Sequence, residues 1–109
     1  MEKAEEYLKK RLNICKEMGS MDEEAETCDL LGAFYYDEEK FKKAEKYWKR
    51  EVMLRKELND TEENLIAIAE TYDDLGMMFR EKGDIQRAKK YALKSDSLSE
   101  KINKGEGKI

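Results

Sequence analysis

The sequence predicts an all-α protein, an α-α superhelix of five helices set out as about two and a half antiparallel hairpins. Three observations predict it. Leu31-Gly32-x-x-Tyr35 followed by Phe41-x-x-Ala44 returns as Leu75-Gly76-x-x-Phe79 followed by Ile85-x-x-Ala88. A third, partial copy opens the chain, because Ala4-x-x-Tyr7 matches Ala44-x-x-Tyr47 and Ala88-x-x-Tyr91. There is no proline, and 44% of the residues are charged and 39% hydrophobic, with the apolar residues at helical spacing. A fixed period of this size marks stacked helical units, each too small to bury its own face.

The first helix is placed at 2–18, with Leu8, Leu12, Cys15 and Met18 on one face and Gly19 in the position of a left-handed C-terminal residue. Ser20 with Glu23 reads as a capping box for a second helix at 21–37. The turn Tyr36-Asp37-Glu38-Glu39 has no glycine, yet must lead into a third helix at 39–58 carrying Trp48, Val52, Arg55 and Leu58. Asn59-Asp60 breaks the chain, and Asp60 with Glu63 is the expected cap of a fourth helix at 61–82. Gly83-Asp84 turns into a fifth at 84–102, with Ala92, Ser95, Leu98 and Ile102 in period. Residues 1–103 are expected to form one domain and 104–109 a flexible tail.

Composition excludes several function classes. With no histidine in the chain, Ser-His and Cys-His nucleophile pairs and the zinc-hydrolase helix motif are ruled out, and the expectation is a protein that is not an enzyme and uses no cofactor or metal. The longest apolar run, Leu65–Ala69, is far below the ~20 residues of a membrane span, so no membrane partner is expected. Cys15 and Cys28 lie within apolar periodicities and read as buried, reduced thiols of a cytoplasmic protein.

The pattern Leu-Gly-x-x-Tyr/Phe, then Phe/Ile-x-x-Ala, then an aromatic on the following turn, resembles the tetratricopeptide repeat (TPR). The first unit carries it in Leu31, Gly32, Tyr35, Phe41, Ala44 and Trp48. The second carries Leu75, Gly76, Phe79, Gly83, Ile85 and Ala88, with Ala92 where the first has Trp48. The separations of 40 (Ala4 to Ala44) and 44 (Ala44 to Ala88) residues resemble the long-repeat type. The resemblance implies a protein-interaction module in which the glycine-bearing helices line a concave face.

Those glycine-bearing helices, 21–37 and 61–82, hold twelve acidic residues against only Arg80 and Lys82. The positions that the resemblance implies face a groove are Glu26, Asp29, Ala33 and Tyr36 in the first helix, and Glu70, Asp73, Met77 and Arg80 in the second. Because four of the eight are acidic and only Arg80 is basic, the expected partner is another protein or peptide with basic residues and apolar anchors, held by an attraction that salt screens. The alternative is a structural, self-associating solenoid segment, since helix 2–18 keeps more apolar surface (Tyr7, Leu8, Leu12, Ile14 and Cys15) than one neighbour covers. Nucleic acid is disfavoured as a partner. The cluster Lys40, Lys42, Lys43, Lys46, Lys49 and Arg50 is interleaved with Glu38, Glu39, Glu45 and Glu51, and the sequence pI is near 5.1.

Overall fold

The helical periods of the sequence emerge as α1 (Glu2–Met18), α2 (Met21–Asp37), α3 (Phe41–Glu57), α4 (Glu62–Glu81) and α5 (Ile85–Gly107) in a computed structural model that describes residues 2–107. No strand occurs among the described residues. Contacts group the chain into two units, Met1–Leu58 and Asn59–Ile109, where the sequence suggested one domain. In the first, α2 packs on both α1 and α3; the second is the α4–α5 hairpin.

Three helix ends close in the same way. Gly19 lies at φ 72°, and its amide donates to Lys16 O (3.2 Å) while that of Ser20 donates to Cys15 O (3.0 Å). Gly83, at φ 84°, repeats this with Arg80 O and Phe79 O. In the first hairpin the role falls to Glu39 at φ 59°, with amide bonds from Glu39 to Tyr36 O (2.9 Å) and from Lys40 to Tyr35 O (2.8 Å). The paired bonds satisfy carbonyls that the helix itself leaves open. A glutamate there carries a steric cost that glycine does not. It also explains why α3 begins at Phe41 and not at 39.

Two expected caps are corrected. Ser20 makes no side-chain cap: the two-residue linker Gly19-Ser20 closes α1, and at ψ 86° Ser20 stands away from the extended backbone that aims an N-cap oxygen. At α4 the cap is Thr61, at ψ 154°, whose hydroxyl accepts from the Asn64 amide at 3.1 Å, and not Asp60. Asp60 instead lies 3.7 Å from Lys101 of α5. Asp84 does cap α5, accepting from the Arg87 amide at 3.1 Å. That helix continues to Gly107 through much of the expected tail, since neither a proline nor a left-handed residue stops it; 108–109 lie outside the described residues.

The two hairpin cores each hold one stacked aromatic pair. Tyr35 of α2 stacks on Tyr47 of α3 (centroids 5.6 Å, 14° between planes), and Phe79 of α4 stacks on Tyr91 of α5 (5.7 Å, 1°). A cation lies beside each stack: Lys43 Nζ is 5.2 Å from the Tyr35 centroid and the Arg87 guanidinium 5.3 Å from that of Phe79. Thr27 and Thr71, both buried, donate to the carbonyls of Glu23 (2.8 Å) and Ala67 (3.0 Å), one turn back. On its other side α2 meets α1, where Leu12 and Cys15 are buried, Tyr35 OH donates to Glu5, and Arg11 pairs with Glu26 at 2.8 Å.

The repeat glycines part company in what they touch. A β-carbon on Gly32 would lie 2.4 Å from the indole of Trp48. On Gly76 its nearest neighbour would be Ala88 O at 3.4 Å, an ordinary contact, because Ala92 replaces the tryptophan. Gly32→Ala should therefore cost about 1–3 kcal/mol by overpacking, whereas Gly76→Ala should be neutral or stabilise by about 0.5–1 kcal/mol through helix propensity. Glu39→Gly should stabilise by about 1 kcal/mol, as relief of the left-handed backbone. Urea unfolding of the three variants checks all of these; equal effects at Gly32 and Gly76 would contradict the packing difference.

Burial also sets an alkaline limit on stability. Cys28, completely buried, has its thiol pushed up from 9.0 to about 12, chiefly by desolvation, with the Glu24 carboxylate adding to it. Burial, with the Glu5 bond, likewise raises the Tyr35 hydroxyl above its ordinary 10.0. Both groups keep their protons longer in the folded chain than in the unfolded one. The stabilisation is thus fully present below pH 9 and drains away as pH rises from there through the native values. Urea midpoints should fall between about pH 9 and 11, with a shallower slope in Cys28→Ala; a flat profile would exclude the linkage.

Candidate functional site

On α2, Glu26 and Ala33 are exposed while Asp29 and Tyr36 are half-buried. Three of the four have work inside the fold. Glu26 is the ion-pair partner of Arg11, and Asp29 Oδ1 accepts from Trp48 Nε1 at 3.2 Å. Tyr36 packs its ring against Phe41 and Trp48, each with centroids 5.8 Å away. The acidic face foreseen on this helix is largely consumed by its own neighbours.

On α4 the equivalent residues stand clear. Glu70, Asp73, Met77 and Arg80 are all exposed, and among the described residues neither acid nor Arg80 belongs to an ion pair. The physical reason lies across the hairpin. Asp73 is the counterpart of Asp29, but Ala92 stands where Trp48 would be and offers no side-chain N–H. Losing one indole thus frees both a glycine and an aspartate.

The stripe is longer than the four residues named from sequence. Ile66, one turn before Glu70, is 42% exposed, and Met77 is 45% exposed. Ile66, Glu70, Asp73, Met77 and Arg80 follow one another at intervals of three or four and so share one side of α4. Two carboxylates lie between two apolar contacts, and the stripe from Ile66 to Arg80 spans about 21 Å at 1.5 Å per residue. Ile66 was hidden within the apolar run Leu65–Ala69, although stepping back four residues from Glu70 reaches it. The two sets of four residues occupy separate helices in separate units.

Other chemistry finds little foothold. Cys15 and Cys28 are free, buried thiols, and the raised Cys28 is held in its un-ionised form at neutral pH. Among the described residues no group of three His, Cys, Asp or Glu side chains is placed to hold a metal ion. No helix among them is long and apolar enough to cross a membrane. Thr71 and Tyr72, beside the stripe, point inward and belong to the α4–α5 core. The α4 stripe therefore sets two unpaired carboxylates and two apolar side chains side by side on one exposed helix face among the described residues. No protein-family model, curated protein or solved structure matches the chain.

Proposed function

We propose that the chain is a non-enzymatic protein-interaction module of the tetratricopeptide-repeat type, which takes a basic peptide segment with apolar anchors along α4. The observation that carries this reading is the exposed order apolar–acid–acid–apolar over Ile66, Glu70, Asp73 and Met77, with no ion-pair partner for either acid among the described residues. Side chains at this spacing suit an amphipathic helix or an extended segment that places Lys or Arg beside Glu70 and Asp73 and apolar groups on Ile66 and Met77. Met77 suits such a contact because an unbranched thioether adapts to the shape it meets. Arg80 at the end of the stripe sets direction, favouring an acidic residue or a terminal carboxylate of the partner there. The free thiols fit a cytoplasmic setting.

A second reading, self-association, draws on α1. Tyr7 is 65% and Met18 71% exposed, with Ile14 also open on the same side of the helix. On α3 and α5 the residues matching Ala4 and Tyr7 pack against a glycine-bearing helix; on α1 they do not.

The two aspartates separate the first reading from a general acidic attraction. A labelled Lys/Leu peptide should bind the parent chain with an affinity that falls as salt rises. Asp73→Lys should weaken it about tenfold or more, a loss in the range of one close charge contact. Asp29→Lys should lower the unfolding midpoint, by loss of the Trp48 bond, and leave affinity nearly unchanged. Equal loss of binding in both variants, or affinity indifferent to salt, would overturn the α4 assignment. Sedimentation equilibrium of the parent and of Ile14→Glu tests self-association, which requires a parent dimer and a monomeric variant.

A further inference from the structure

The first unit carries a surface of the opposite character. α1 and α3 flank α2 and leave between them an open pocket of about 400 Å³, with Cys28 of α2 at its base and Tyr47 and Met53 of α3 along one wall. Its volume falls in the range of small binding pockets. Met53 is 49% exposed, so the apolar wall is open to solvent. Four cations rim it: Lys16 from α1, and Lys46, Lys49 and Arg50 from α3.

The four are not equivalent. Arg50 reaches Glu24 Oε2 at 3.0 Å, a carboxylate that is buried, and Lys49 Nζ lies 2.7 Å from Glu45 Oε2. Those two are held in place by the fold. Lys16 and Lys46 belong to no ion pair among the described residues; Lys46 Nζ lies 5.3 Å from the centroid of the neighbouring Tyr47 ring. The rim therefore keeps unbalanced positive charge beside an exposed thioether, although the chain as a whole carries a net charge of −4.

The basic surface also runs past the pocket. Lys42, Lys46, Lys49, Met53 and Lys56 are exposed at intervals of three or four along α3. That row spans about 21 Å at 1.5 Å per residue. A single carboxylate or phosphate head would engage only part of it. A segment of protein carrying several acids and one large apolar side chain would match both the row and the pocket, with the apolar anchor seated against Tyr47 and Met53 and the carboxylates over Lys46 and Lys16.

We infer that the groove between α1 and α3 is a second docking site, for an acidic peptide segment of a partner protein with one aromatic or large aliphatic anchor. The surface is distinct from the α4 stripe and opposite in charge, so the chain would bridge two partners of contrasting composition. A flexible tether from either partner would then raise the effective concentration of the other.

The test uses the full chain and a labelled peptide of about fourteen residues, the length of the α3 row, bearing glutamates around a single tryptophan. Fluorescence anisotropy should show saturable binding that Lys46→Glu weakens about tenfold and Met53→Ser about fivefold, each in the range of single interface contacts. Lys16→Glu, on the other wall, should repeat the loss, which guards against a folding defect in one variant; circular dichroism confirms the helices. Lys89→Glu on α5 and Asp73→Lys on α4 should leave this affinity unchanged, so failure here is separable from failure of the α4 reading. The inference is overturned by absence of binding at millimolar peptide, by equal binding of the peptide with serine for tryptophan, by insensitivity to both lysine reversals, or by capture on phosphatidylserine vesicles in place of the peptide.

Discussion

The indole of Trp48 occupies the space that any side chain on residue 32 would need, and the first unit is built around that exclusion. With Gly32 bare, the buried indole lies against α2, packs beside the Tyr36 ring (centroids 5.8 Å apart), and turns its N–H toward Asp29. α3 is thereby locked at close range against α2, close enough for Tyr47 to stack on Tyr35 and for Tyr35 to reach Glu5 on the far helix. One small residue thus sets the distance between two helices and, through Tyr35, ties in a third. Close approach of helices at small residues is ordinary packing physics; here it also decides which acids stay available on the surface.

The second unit shows what the same scaffold does without the lock. The aromatic stack, its adjacent cation and the buried threonine all persist. What changes is polar. Glu24 and Glu51 of the first unit are buried and paired with Arg50 and Arg55, whereas their counterparts Ile68 and Ser95 carry no charge. Ser95 instead donates to Ala69 O at 3.3 Å. Among the described residues the first unit buries two carboxylates with arginine partners and the second buries no charged side chain, so repeats of one design present different faces.

Much of the architecture was legible in the sequence because helical period and repeat register are properties of residue order. The five helices, the glycine at each of two turns and the pairing of Ala44 with Ala88 all follow from spacing alone. The missing information was geometric. Nothing in the residue type at position 39 marks it as left-handed; only its alignment with Gly83 does. Ser20 and Asp60 have the chemistry of caps, but backbone direction gives the cap at α4 to Thr61 and leaves Ser20 without a side-chain cap bond. Asp29 and Asp73 look interchangeable in sequence and differ only in what lies across the hairpin. The face on α4 was recoverable from period, apart from Ile66, while the α1–α3 pocket depends on two helices flanking a third and has no local signature.

Trp48 and Gly32 also constrain the routes by which such a repeat can change. Alanine at position 32 is obstructed while the indole is present, but the reverse order, with tryptophan lost first, meets no such barrier. The second unit already holds alanine at 92 and keeps glycine at 76 with no steric need for it. The two positions are therefore epistatic in one repeat and independent in the other. Drift at Gly76 is open, drift at Gly32 is gated by its neighbour, and the two glycines that look alike in sequence stand under unequal selection.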